Sequence, residues 1–206
     1  MQNKYSIRLI TENDASEVLA IYEHYVLNTI ISFEYEVPSL EEYVQRIKTN
    51  TDDYPWLVCT YEDKIIGYAY ASKHRYRTAY QWSPESTIYL TNEAHGIGIA
   101  RVLYETLFAL LKLQGHFNVY AGVALPNEKS MRFHKALGFE DIGIFKKVGY
   151  KHGNWHDTHW FQLFLTEHVL NPATPKKLDE VINHIDFQNI LAMANKRLEN
   201  KQTKTA

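Results

Sequence analysis

Residues 95–100 read His-Gly-Ile-Gly-Ile-Ala, between the apolar run STIYL at 86–90 and a long apolar segment that continues to 114. Glycines at such a joint let backbone N–H groups close on an anion, and the dipole of a following helix adds positive potential. A phosphate or pyrophosphate is the natural ligand, with a merely tight turn as the alternative. A phosphate loop of the form GxxxxGK[ST] needs a lysine that is absent here. A dinucleotide fingerprint needs a third glycine where Arg101 stands, and an acidic residue ending the next strand, which instead runs into Ala124-Leu125-Pro126. Read in register on the coenzyme A pattern [Q/R]xxGx[G/A], the stretch places His95 at the first position and Gly98 and Ala100 at the others.

Two other clusters carry chemistry. Arg75, Arg77 and Tyr80 lie in a basic, aromatic stretch, and guanidinium forks suit carboxylate or phosphinate oxygens bidentately; a solvated edge strand is the alternative. His152, His156, Asp157 and His159 have spacing that a zinc site on a loop-to-strand segment could use, although a structural or pocket-wall role is the simpler expectation. Cys59 sits inside the apolar run WLVCTY and reads as a small buried hydrophobe. No Ser-His-Asp arrangement is apparent.

The elements that must position these residues follow from periodicity. YSIRLI alternates as a strand, and Thr11 or Asn13 can cap a helix carrying Ala15, Val18, Leu19, Tyr22 and Val26. Ser39 and Glu42 have capping-box spacing for a helix to about Lys48. WLVCTY and IIGYAYAS flank Glu62-Asp63-Lys64 as a β-hairpin. STIYL is a strand, 97–114 a helix stopped by Gly115, 118–124 a strand, and the segment from Asn127 a short helix ended by Gly138. Two strands follow, FEDIGIFKKVGY and THWFQLFL. Near Asn171 a linker-like NPATPKK leads to a sparse apolar stripe of Leu178, Val181, Ile182, Ile185, Phe187, Ile190, Leu191 and Ala194. This predicts a domain over 1–170 and, over 171–206, a helical extension with a disordered tip, its stripe covering the domain or a second subunit.

The segment Asn127-Glu-Lys-Ser130-Met-Arg-Phe-His134-Lys-Ala-Leu-Gly138-Phe139 resembles the NxxSxxx[Y/H]xxxGF segment of the GNAT superfamily of acetyl-CoA-dependent N-acetyltransferases. The stretches YPWLV, RTAYQW, EST-Y, LPN, HKALGF and GYKHGNWHD, spread over residues 5–165, are similar to the phosphinothricin and methionine-sulfoximine N-acetyltransferase family. The resemblance implies an α/β (α+β) GNAT fold, a mixed, mostly antiparallel sheet of six to seven strands with helices on both faces. It also implies a homodimer and acetyl-CoA as co-substrate, with no metal.

Acetyl transfer to an amine poses definite problems. A free α-amino group titrates at roughly 8, so a base or a water path must remove its proton before it attacks. The tetrahedral intermediate needs an N–H aimed at its oxyanion. By resemblance, Glu85 is the general base, direct or through water, and His134 the acid beside the departing thiolate. Ile88, Tyr89 and Leu90 would meet the pantetheine arm, His95, Gly96, Ile97, Gly98, Ile99 and Ala100 the pyrophosphate, and Asn127 and Ser130 would lie beside the arm. Arg77, with Arg75 and Tyr80, would receive the acidic group of the substrate, and Phe33 and Tyr35 would cover it. The lead-in Thr91-Asn92-Glu93-Ala94-His95 departs from the basic residues common there, which predicts weaker coenzyme affinity.

A formal net charge of −2 gives no reason to expect nucleic-acid or anionic-membrane partners, and no apolar stretch approaches the ~20 residues a membrane helix needs. The single cysteine excludes an intramolecular disulfide, and the first residues carry no secretory signature, so a cytoplasmic location is expected. The function expected is acetylation of the α-amine of a small amino-acid-like acid. The alternatives are the same fold acting on a polyamine or a protein N-terminus, and a non-catalytic acyl-CoA-binding module.

Overall fold

The computed structural model describes residues 4–205, with side chains to residue 200. Seven strands form one sheet: β1 (Tyr5–Leu9), β2 (Trp56–Tyr61), β3 (Lys64–Ser72), β4 (Glu85–Leu90), β5 (Asn118–Ala124), β6 (Glu140–Lys151) and β7 (Asn154–Phe164). Their spatial order is β1-β2-β3-β4-β5-β7-β6. Every neighbouring pair is antiparallel except β4 with β5. The expected sheet is therefore present.

Local chemistry sets the element ends. Asp14 Oδ2 accepts from the N–H and hydroxyl of Thr11 at 2.7 and 2.9 Å, while Arg8 holds both its oxygens at 2.7 and 2.8 Å. This stop precedes α1 (Ala15–Asn28). Ser39 Oγ accepts from Glu42 N at 3.1 Å, capping α2 (Leu40–Thr51), which runs one turn beyond the expected Lys48 because no helix breaker stands there. In the β2–β3 hairpin Glu62 and Asp63 take φ of 48° and 67°, the left-handed pair of a two-residue turn. Helix α3 (Ile99–Gln114) starts two residues later than predicted, because residues 95–98 are a turn. Helix α4 (Glu128–Ala136) follows β5.

The sheet is covered on both faces. On one, Val18, Tyr22 and Val26 of α1 and Tyr43 and Ile47 of α2 bury Trp56, Val58, Tyr68 and Tyr89. Much of the tyrosine content is thus core. The Tyr43 and Tyr68 hydroxyls bond each other at 3.0 Å, and burial pushes both phenols above their ordinary range. On the other face, Leu103, Leu107, Leu110 and Leu111 of α3 lie over Leu57, Ala69, Val119 and Phe161. Cys59 is fully buried here, and burial pushes its thiol up to about 12.

The extension holds α5 (Leu178–Val181) and α6 (Ile185–Thr205). Phe187, Ala194 and Leu198 are buried in the same cluster as α3, so the stripe covers the body of its own chain. Asn195 donates to Ile7 O at 3.0 Å and accepts from Ile7 N at 2.7 Å. Strand β1 is a sheet edge, and this side chain blunts it. The tip at 201–206, read as disordered from sequence, lies outside the residues whose side chains are described.

Candidate active site

The single parallel junction of the sheet is also its weakest. Strand β4 pairs with β3 from Glu85↔Ser72 to Leu90↔Gly67, and β5 pairs with β7 along its whole length. Between β4 and β5 only Glu85↔Tyr120 is in register, supported by Tyr120 N donating to Pro84 O at 2.9 Å. Past Glu85 the strands part, so β4 turns backbone toward a gap rather than toward a strand. At the far end the Tyr25 hydroxyl donates to Leu90 O at 2.6 Å and receives Leu90 N at 3.3 Å. Sequence reasoning missed Tyr25, which carries no signal of this role along the chain.

The glycine turn lies beyond that end. Gly96 and Gly98 have φ of 78° and 82°, which disfavours any side chain there. Gly98 caps α3 with no side-chain hydrogen bond, so the first N–H groups of the helix have no capping side chain. A helix start of this kind can receive an anion. Ile97 is half-exposed in the turn, and His95 Nε2 lies 3.4 Å from the Tyr25 hydroxyl. Exposed Glu93 stands beside it, its carboxyl held below the usual range by its own backbone N–H and by Thr91. Asn127 caps α4 by accepting from Ser130 N at 3.1 Å, which commits its amide oxygen.

Glu85 and His134 flank the junction from opposite faces. Glu85 lies beside Tyr120, whereas Phe161 lies beside Ala121, the next residue of β5. Successive strand residues face opposite sides, and His134 stacks on Phe161 with centroids 5.5 Å apart and planes 8° apart. His134 is 4% exposed, and its Nδ1–H donates to Ser130 O at 2.8 Å. Burial pushes its imidazole below the ordinary value, leaving neutral Nε2 as a buried, unpartnered acceptor. Glu85 is one-third exposed and bonds Nδ1 of His74. Sequence reasoning missed His74, which gave no signal inside the basic run KHRYR beyond being a histidine.

Arg75 and Arg77 are exposed and make no ion pair with a described residue; Tyr80 lies edge-on to His74 at 6.5 Å. Phe33 packs on Gly149, where a Cβ would meet its ring at 2.3 Å, and the Tyr35 hydroxyl donates to Tyr150 O. The loop between α1 and α2 is thereby docked on the β6–β7 hairpin. Its anchor is Lys151, 2% exposed, whose Nζ donates to Val26 O and Ser32 O at 2.6 Å each. The histidine-rich stretch is spent on separate tasks. His156 Nε2 donates to Lys151 O at 2.9 Å, Asp157 accepts from Lys147 N at 2.7 Å, and His159 Nε2 lies 2.7 Å from Asp141. Among the described residues no group of three or more such side chains could hold a metal ion.

The model of the acetyltransferase (GNAT) domain matches residues 7–160. The chain belongs to the GNAT acetyltransferase family. It is 36% identical over 156 residues to a phosphinothricin N-acetyltransferase of Streptomyces viridochromogenes, covering 76% of this chain and 85% of that one. It is 27% identical over 169 residues to an L-methionine sulfoximine/L-methionine sulfone acetyltransferase of Salmonella typhimurium, covering 82% and 99%. The crystal structure of a GNAT superfamily phosphinothricin acetyltransferase from Sinorhizobium meliloti in complex with AcCoA superposes with a TM-score of 0.79 at 36% identity, covering 82% of this chain and 94% of that one.

Proposed function

We propose that the chain transfers an acetyl group from acetyl-CoA to the α-amine of a small amino-acid-like acid, of the phosphinothricin or methionine-sulfoximine type. The observation that carries the reading is the parting of β4 and β5 beyond Glu85, closed at its far end by a glycine turn and an uncapped helix start. The open edge around Ile88 offers backbone groups to the pantetheine amides. The N–H groups of residues 96–100 face the pyrophosphate. Glu85 supplies the negative charge that draws the proton from the amine, directly or through one intervening group. Nε2 of His134, neutral and bare, receives the S–H of the product thiol from the opposite face. Arg77, which makes no ion pair with a described residue, takes the carboxylate with Arg75 and Tyr80 assisting, and the docked segment with Phe33 and Tyr35 roofs the site. An acidic substrate, rather than a polyamine, follows from those arginines.

We also read the chain as a homodimer. Strand β6 is a sheet edge of 12 residues whose Ile142, Ile144, Phe145 and Val148 are each about half exposed. Such an apolar edge calls for a cover. Light scattering that gives one chain mass at micromolar concentration would remove this part. For the activity, purified protein is incubated with acetyl-CoA and a panel of amino acids including methionine sulfoximine and phosphinothricin, and thiol release is followed. Turnover with acidic amino-acid analogues and not with spermidine is expected. No thiol release with any amine would overturn the reading.

A further inference from the structure

We infer that His74 is the group that receives the proton of the amine, with Glu85 as the carboxylate that holds it in place. The inference rests on the acetyltransferase reading and moves the accepting atom from Glu85 to the neighbouring imidazole. Four observations carry it.

Glu85 is not a bare carboxylate. One of its oxygens bonds Nδ1 of His74, and since an ionised carboxylate only accepts, Nδ1 carries the hydrogen. That donor occupies an oxygen that would otherwise be open to the proton of the amine. The ring is also held. It stacks on Tyr120 at 4.8 Å and 16° and meets Trp160 edge-on at 5.6 Å, so its second nitrogen has a set direction. That nitrogen, Nε2, makes no hydrogen bond with any described residue, and the side chain is 12% exposed. Finally, His74 and Glu85 sit where β4 and β5 part, on the Tyr120 side of the sheet and across from His134.

Imidazole is the side chain most often placed to take such a proton. The pairing repeats the logic of a carboxylate that fixes a histidine tautomer and stabilises the imidazolium. The ammonium gives one proton to Nε2. The amine lone pair then forms the C–N bond to the thioester carbonyl carbon, and the C–S bond breaks with its electron pair going to sulfur. The remaining excess proton on nitrogen passes to the thiolate, giving the amide and the free thiol. His74 later releases its proton to solvent. The titratable groups facing the ring are Glu85, Tyr120 and Tyr80.

The test separates the two atoms. In His74→Asn the amide N–H takes the place of Nδ1–H, so Glu85 keeps its donor while the basic nitrogen is lost. We expect kcat/KM for the amine to fall about 100-fold or more, as in Glu85→Gln, with KM for acetyl-CoA within about twofold. Turnover of the variant should then follow the fraction of amine that is already neutral in solution. Added imidazole should restore turnover to His74→Gly, which also serves if the asparagine variant folds poorly. His74→Asn within about fivefold of the unaltered protein, with Glu85→Gln inactive, would overturn the inference and leave Glu85 as the base. Glu85→Gln retaining full activity would instead sink the underlying reading of the site.

Discussion

Glu85 and His134 sit on opposite faces of one sheet, Glu85 beside Tyr120 where β4 and β5 part and His134 on Phe161, which lies beside Ala121 of β5. An acceptor amine and a leaving thiol can therefore be handled from separate sides, with the thioester between. Variants should divide accordingly. His134→Phe keeps the stack on Phe161 and removes Nε2 together with the Nδ1–H that donates to Ser130 O. It should raise KM for acetyl-CoA several-fold and change KM for the amine little, as steady-state kinetics with each substrate varied will read. An equal rise in both constants would contradict this division.

Glu93 places a full negative charge beside the turn expected to receive phosphates. Glu93→Gln should lower KM for acetyl-CoA about two- to fivefold at low salt, and the gain should shrink as ionic strength rises and screening shortens the Debye length to about 10 Å at 0.1 M. A gain independent of salt would point to packing rather than charge.

Lys151 joins the β6–β7 hairpin to the end of α1 and the loop that follows, through two carbonyls and no carboxylate. Lys151→Met fills similar volume but leaves Val26 O and Ser32 O without a donor. A loss of about 2–4 kcal/mol in chemical denaturation is expected, together with a higher KM for the amine as Phe33 and Tyr35 lose their support. An unchanged denaturation midpoint would show that water replaces the ammonium at no cost.

His116 is 2% exposed, stacks on Tyr54 at 5.6 Å, and burial pushes its imidazole down to about 4. Between about 6.5 and 4 the unfolded chain binds a proton that the folded chain refuses, so the stability this residue permits is intact above 6.5 and is lost as pH falls toward 4. The loss amounts to about 3 kcal/mol at most. His116→Phe should flatten the decline of Tm between pH 7 and 4.5, leaving the part due to His134, whose shift has the same sign. A parallel decline in both proteins would refute the assignment.

Read by itself, the chain determined whatever depends on neighbours along it. The capping of α2 by Ser39, the hairpin turn at Glu62-Asp63, the stop at Gly115 and the cap at Asn127 are encoded within a few residues, because each concerns backbone groups close in sequence. The family was legible for the same reason, in short runs such as HKALGF and GYKHGNWHD. What required the tertiary structure was every relation between distant segments. These are the parting of β4 from β5, the pairing of Glu85 with His74, the opposite faces of Glu85 and His134, and the closing of β1 by Asn195 across 188 residues. Side-chain chemistry acts over a few ångströms, and only folding decides which distant groups come within that reach.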